Sequence, residues 1–422
     1  MTVLIAGGGI AGLTLGLTLH QIGVPFRIFE TRREIRPLGV GINLQPNAVR
    51  ELFDLDLEAQ LDDIGVQTRQ YGFYSKLGKT IWEEPRGRWA GHAWPQYSLH
   101  RGKLQMVLHA DLVGRAGLAA VRTGATAAGF ETGPDNAVLI LQDGERVTGD
   151  LIVAADGIHS ALRAQMYPDE GAPVWDGRIL WRATSRAPAF FGGGAMAVIG
   201  HDSQRVVAYP ISEPDAHGDA IINWIAEKRF SPDSGRMGLD WNRTADPGDI
   251  LPLFEDWRFD WIDVPALIEG AGTIYEYPMV DRDPLPRWTD GRVTLMGDAA
   301  HPTYPVGSNG ASQAIVDARV IGAKLLEHGM TPAGLEAYEA EMRPLATAVA
   351  RANRAGEGPD GVLQRVEDLC GGDFRDIEDV IPRAELAAHA EKYKTIAGFS
   401  IEELNAKPGL IPKEARFDRG AS

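Results

Sequence analysis

The chain has 422 residues, 44% of them hydrophobic and 24% charged, which describes an ordinary globular protein with room for two or three folded units. Its 42 basic and 58 acidic residues leave a net charge of −16, which excludes general nucleic-acid binding but allows a local basic pocket for an anionic ligand. A single cysteine, Cys370, excludes an internal disulfide framework and a cysteine-rich metal centre, and no metal is expected.

The opening residues carry the first signal. An apolar run, Val3-Leu4-Ile5-Ala6, reads as a buried parallel strand and is followed by glycines at Gly7, Gly9 and Gly12 before an apolar helical pattern. In this G-x-G-x-x-G turn the first glycine reverses the chain and the second lets backbone approach a pyrophosphate. The third lets helix pack on strand. A second short strand over residues 25–29 ends in Glu30, whose carboxylate suits the two ribose hydroxyls of an adenine dinucleotide. With the strand starting at Thr2 and no apolar run of membrane-spanning length, neither a signal peptide nor a membrane segment is expected, and the expected compartment is the cytoplasm.

Further along, Gly39 and Gly41 suit a loop pressed against a ligand rather than a strand interior. A helix is predicted over residues 46–57, and a strand pair over 67–82 turning near Gly78. Arg101 stands at the start of another helix, where it either binds phosphate or makes a surface ion pair; His100 reads as structural. Two weak strands turn at Asp143-Gly144. A buried strand then ends in Asp156-Gly157, by itself only a turn signal, with Ser160 able to cap the segment after it.

From Val174 the texture changes to short alternating runs rich in Trp and Tyr, over residues 177–184, 195–200, 205–211 and 220–225. They read as an antiparallel sheet inserted into the first unit. Residues 241–261 look helical, and 273–278 return a strand. A last parallel strand ends in Gly297-Asp298, which puts a carboxylate at the ligand-binding edge of the sheet. The loop Pro305-Val306-Gly307-Ser308-Asn309-Gly310 leads into a helix whose free N–H groups can face developing negative charge. His301, between an Asp-Ala-Ala turn and a proline, reads as a loop-fixing residue rather than a catalytic one. Helices continue to about Gly356, and residues 357–422 read as a few helices and a loose end.

The three ordered motifs (Gly7 to Gly12 with Glu30, Asp156-Gly157, and Gly297-Asp298 with its glycine-rich loop) resemble those of the single-component FAD-dependent aromatic hydroxylases, the class of p-hydroxybenzoate and salicylate hydroxylases. The resemblance covers residues 1 to about 355. Within the class, the strings at residues 34–43, 95–98, 277–286 and 309–315 are similar to the phenazine (pyocyanin-forming) flavin monooxygenases. The resemblance implies an α/β fold: a Rossmann-type FAD-binding domain at 1–173 and 286–356, an inserted, mostly antiparallel substrate domain at 174–285, and a C-terminal helical region at 357–422.

It also implies roles. Gly7, Gly9, Gly12 and Glu30 would hold the ADP half of FAD, with Arg101 near the pyrophosphate and Asp298 at the ribityl or pyrophosphate region. Gly307, Asn309 and Gly310 would set backbone N–H groups under the flavin pyrimidine edge, and Gly41 joins the cofactor set. Asp156 would serve both FAD and NAD(P)H, although Ala155 stands where many members have Gly; Ser308 matches a small residue in the phenazine enzymes' loop. The pocket would be walled by Trp181, Tyr209, Trp224 and Pro305, each Trp being equally suited to core packing, and Tyr209 would supply the catalytic, substrate-orienting hydroxyl. No general base is assigned.

In such enzymes NADH or NADPH reduces FAD, O2 adds to form a C4a-hydroperoxide, and an oxygen atom passes to an electron-rich aromatic or N-heteroaromatic carbon, with loss of CO2 where that carbon bears a carboxylate. Gly192-Gly193-Gly194 lacks a following helical pattern and is not a second fingerprint, so the nicotinamide would bind transiently. Two alternatives stay open: an FAD-dependent dehydrogenase or reductase without oxygen insertion, and a flavin-binding protein without catalysis. The expected state is a monomer or homodimer whose partner is a small aromatic molecule.

Overall fold

The computed structural model describes residues 1–37, 39–231 and 243–418. Its centre is a six-stranded sheet in the order Thr289–Asp290, Val293–Leu295, Leu151–Ala154, Val3–Ala6, Phe26–Glu30 and Val121–Thr123, parallel except at the Thr289–Asp290 edge. Val3–Ala6 is buried along its whole length, as a strand covered on both faces must be. Helix Ile10–Ile22 packs against helices Arg101–Ala116 and Gly310–His328, and an antiparallel meander (Ala127–Thr132, Ala137–Leu141, Arg146–Gly149) joins the same core.

The second layer is an eight-stranded sheet in the order Thr244–Ala245, Ile274–Asp281, Val174–Pro188, Asp219–Arg229, Gln204–Pro210, Ala195–His201, Gln70–Tyr74 and Thr80–Pro85. The hairpin expected near Gly78 therefore belongs to this sheet, joined by a parallel pairing of Ala195–Ile199 with Gln70–Tyr74, and the layer is not confined to residues 174–285. Its residues alternate between two cores. Trp181, Ala183, Ala208 and Trp224 face helices Pro247–Phe254 and Val264–Glu269. Leu180, Val207, Tyr209 and Ile225 face Tyr304, Val306 and the C-terminal helix Gly361–Cys370.

Three readings need correction. Gly41 opens a strand, Gly41–Leu44, paired with Gln96–His100; it is glycine because a Cβ there would lie 2.6 Å from the Asn223 side chain. The helix expected over 241–261 is the shorter Pro247–Phe254, followed by two-residue strands Arg258–Phe259 and Ile262–Asp263; Trp241 lies outside the described residues. The C-terminal region is not a loose end over its described length. Helices Gly361–Cys370, Arg383–Ile396 and Ile401–Ala406 each bury apolar side chains, and the Phe417 N–H donates to the Ile22 carbonyl at 2.7 Å.

Helix Gly310–His328 is pinned by a buried charge cluster. Arg319 Nε donates to Glu51 Oε2 at 3.2 Å, Arg50 Nε donates to Glu51 Oε1 at 2.8 Å, and Arg319 Nη1 donates to Gln21 Oε1 at 2.6 Å. Arg319 and Glu51 have no solvent exposure. A buried pair contributes little over a well-packed apolar pair, but removing one member strands the other. Glu51→Ala should therefore cost about 3–5 kcal/mol in urea unfolding, and Glu51→Met combined with Arg319→Met distinctly less. Equal losses would show that the cluster acts only by filling space.

Candidate functional site

The parallel strands end together at one cavity of about 310 Å3. Gly7, just past the first strand, has φ +105°, and a Cβ there would sit 2.3 Å from the Ala155 carbonyl oxygen; a Cβ on Gly12 would sit 2.0 Å from the Gly7 carbonyl oxygen. These two glycines let strand, turn and helix close on each other. Gly9 differs: nothing lies within 4 Å of its Cβ position, and it lines the cavity with Ile10 and Ala11. It caps helix Ile10–Ile22 without a side-chain hydrogen bond, so the first-turn N–H groups are left for a ligand.

Glu30 ends the second strand as expected. Its Oε2 accepts from the Gly8 N–H and its Oε1 from the Arg32 N–H, both at 2.7 Å. The carboxylate thus braces the glycine turn while keeping lone pairs for ribose hydroxyls. Gln105 Nε2 donates to the Gly8 carbonyl at 2.8 Å, tying the same turn to the helix that starts at Arg101. His100 caps that helix, its Nδ1 accepting from the Gly102 and Lys103 N–H groups, and Arg101 reaches the cavity wall. Burial and the Lys103 charge hold the His100 pKa down, which keeps the ring a neutral acceptor.

On the opposite wall, helix Gly310–His328 also starts without a side-chain cap, with Gly310 and Ala311 at the cavity. Asp298 opens into the cavity, and its pKa is raised by the desolvating surroundings, with His301 and Arg101 pulling the other way. His301 has the loop-fixing place expected of it. Its Nε2 lies 2.6 Å from Asp317 Oδ2, which also accepts from the Gly297 N–H at 2.9 Å, and its ring packs on Trp288. Burial alone would lower the imidazole pKa, but Asp317, seconded by Asp298, outweighs it and the net direction is up.

Ser160 caps helix Ala161–Met166, its Oγ accepting from the Arg163 N–H, and Asp156 Oδ2 accepts from the Ala161 N–H at 3.0 Å; Ala155 and Gly157 beside Asp156 line the cavity. Burial pushes its pKa up. Gly307 and Asn309 turn towards Tyr393, whereas Pro305 and Ser308 face the cavity.

The large sheet supplies Arg182, Tyr209 and Ile225. Trp181 and Trp224 are not pocket walls. They sit one residue out of phase with Arg182 and Ile225, on the far face of the sheet, where Trp181 Nε1 donates to Glu276 and Trp224 Nε1 to Ser185. The register places Trp224 opposite Ala208 and Tyr209 opposite Asn223, so the two-residue period could have separated them. Arg182 was missed by sequence reasoning. Its Nη2 donates to the Gly41 carbonyl at 3.0 Å, while its Nε is buried without a partner.

Two helix N-termini free of side-chain caps, the open Gly9 at the first of them and two cavity-lining arginines fit a dinucleotide diphosphate, and the large sheet walls the cavity beyond them. That combination is the geometry of a dinucleotide-binding enzyme. The chain belongs to the FAD-binding domain family, whose model matches residues 1–172 and 279–353, and it is a flavin-dependent monooxygenase of the aromatic hydroxylase type. It is 44% identical to phenazine 1,6-dicarboxylic acid hydroxylase of Lysobacter antibioticus, covering 83% of this chain and 89% of that one. Its identity to 3-hydroxybenzoate 6-hydroxylase 1 of Aquipseudomonas alcaligenes is 30%, over 76% and 80% of the two chains. A solved salicylate hydroxylase substrate complex shares the fold, with a TM-score of 0.73, 21% identity and coverage of 97% and 99%.

Trp224→Ala should destabilise the fold by about 3–5 kcal/mol in denaturant, yet leave the ratio of product to NAD(P)H consumed unchanged, because its ring faces the other core. Increased peroxide release would return Trp224 to the pocket wall. Folding raises the His301 pKa above its unfolded value of about 6.5, so the pair with Asp317 contributes fully below that pH and is lost as pH rises through the folded pKa. His301→Gln should flatten that part of the pH–stability curve, its largest loss falling on the acid side.

Proposed function

We propose that the chain hydroxylates a flat, anionic aromatic or N-heteroaromatic acid, with NADH or NADPH as reductant and O2 as the oxygen source. The observation that carries this reading is the pairing of Arg182 with Tyr209 on the sheet face towards the cavity. Next to it a small recess of about 30 Å3 lies under the Pro305–Ser308 loop, lined by Met196, Val198, Val207 and Ile225 and by the charged Arg205, Glu227 and Asp360. The similarity to a phenazine dicarboxylate hydroxylase supports the same substrate class.

Bound FAD supplies the redox chemistry: two electrons from NAD(P)H let one atom of O2 enter the ring while the other leaves as water. A carboxylate on the attacked carbon would depart as CO2, its bonding electron pair staying with the ring. The protein binds, orients and dries. Arg182, on the cavity wall, offers its charge to the substrate anion. Burial pushes the Tyr209 pKa up to about 12 even though Arg182 draws it back, so Tyr209 is protonated near neutrality. It donates a hydrogen bond to a ring substituent and does not act as a base. Ile225 and Pro305, apolar residues on the wall of the main cavity, flank the ring and help exclude water from the reacting centre.

For the cofactor, Gly9 and the N-terminus of helix Ile10–Ile22 would take the pyrophosphate with Arg101, Glu30 the ribose, Asp298 the ribityl chain, and the loop before helix Gly310–His328 the flavin pyrimidine edge. The two-part FAD-binding domain and the inserted substrate sheet form one working unit in a monomer or homodimer. The need for a reductant generated inside cells supports a cytoplasmic location.

The test uses labelled O2 with phenazine carboxylates and hydroxybenzoates. The right substrate should speed NAD(P)H oxidation and carry one labelled oxygen in its product; oxygen from water, or no insertion, would sink the reading and leave a dehydrogenase. Tyr209→Phe should weaken substrate binding about five- to tenfold, near 1–1.5 kcal/mol for the lost hydrogen bond, with FAD retained.

A further inference from the structure

The cavity loop at residues 303–309 is held from behind by a residue far along the chain and outside the family match. Tyr393, in helix Arg383–Ile396, is 2% exposed, and its hydroxyl accepts from Asn309 Nδ2 at 2.7 Å and lies 3.1 Å from Asn353 Oδ1. Asn353 Nδ2 in turn lies within 3.1–3.4 Å of Thr303 Oγ1 and the Tyr304 and Val306 carbonyls. A Cβ on Gly307 would come 2.4 Å from the Tyr393 oxygen, so the phenol is seated directly against that glycine. The neighbouring Ser308 has φ +55°, a conformation a serine keeps only when its surroundings impose it.

The helix that carries Tyr393 is itself anchored. Lys394 pairs with the buried Glu84 at 2.9 Å, and His389 Nε2 lies 2.9 Å from the Gly358 carbonyl. Burial drives the Tyr393 pKa upward, which keeps its proton available to Asn353. The loop residues Thr303, Pro305, Ser308 and Gly310 line the cavity, and Thr303 is also one of the groups that Asn353 reaches.

We propose that Tyr393 is a positioning residue for the flavin loop: its hydroxyl turns the Asn309 amide inward and, through Asn353, fixes the backbone that leads into the first turn of helix Gly310–His328. The C-terminal helices are thereby part of the cofactor site. The inference rests on FAD being the cofactor, not on which aromatic acid is hydroxylated.

The experiment compares full-length Tyr393→Phe, Asn309→Ala and the double variant with the parent. The first removes only the hydroxyl and keeps the ring against Gly307. Amide hydrogen exchange is read across the chain in FAD-free protein, and the Kd for FAD by flavin fluorescence, neither of which needs a substrate. Each single variant should speed exchange at residues 303–311 and weaken FAD about tenfold, the scale of one buried hydrogen bond, and the double variant should do no more than either. Unchanged loop exchange with unchanged Kd would overturn the proposal. So would faster exchange spread evenly over the chain, which would make Tyr393 a stabilising residue only. If Tyr393→Phe does not fold, Asn309→Ala decides by the same readouts.

Discussion

Two helices point their N-termini, with no side-chain cap on either, at one cavity. Backbone N–H groups left without partners are costly unless a ligand or water satisfies them, and aligned peptide dipoles make the place attractive to phosphate. Much of the surrounding architecture maintains this arrangement. Gly7 and Gly12 let the first helix start hard against the strand ends, and Glu30 and Gln105 hold the turn between them. The second helix is fixed near its middle, by the Arg319–Glu51 cluster and by Asp317, which ties it to His301 and Gly297.

Facing this rigid phosphate end, the eight-stranded sheet divides its work by face. One face is a packed aromatic core in which Trp181 and Trp224 stiffen the platform. The other presents Arg182, Tyr209 and Ile225 to the cavity. The two sets of residues alternate along the same strands.

The cofactor half was legible in the sequence because its determinants are local. Glycine spacing, a carboxylate at a strand end and a Gly-Asp turn each specify their own few residues, and Gly9, Arg101, Asp298 and Gly310 do meet on one cavity. The substrate half was less so. Tryptophan content pointed at Trp181 and Trp224, but which face a strand residue takes depends on register, and the parity with Tyr209 was the signal that went unused. Arg182 lacked a motif, since an arginine in a strand looks like any surface cation until the fold brings it under Gly41. Tyr393 meets Asn309 across 84 residues of chain, and no local pattern encodes such a contact.

The parallel pairing between residues 70–74 and 195–199 bears on how the molecule is made. During synthesis the Gln70–Tyr74 and Thr80–Pro85 hairpin emerges more than a hundred residues before the strand that completes it. Until then Tyr71, Phe73 and Ile81, all buried in the finished protein, border an unpaired strand edge, the type of surface that seeds misassociation. The sheet also cannot be excised as a contiguous piece from 174 to 281 without leaving the Ala195–His201 strand unpaired on one side, and the chain must reach residue 281 before this layer is complete and residue 295 before the other is.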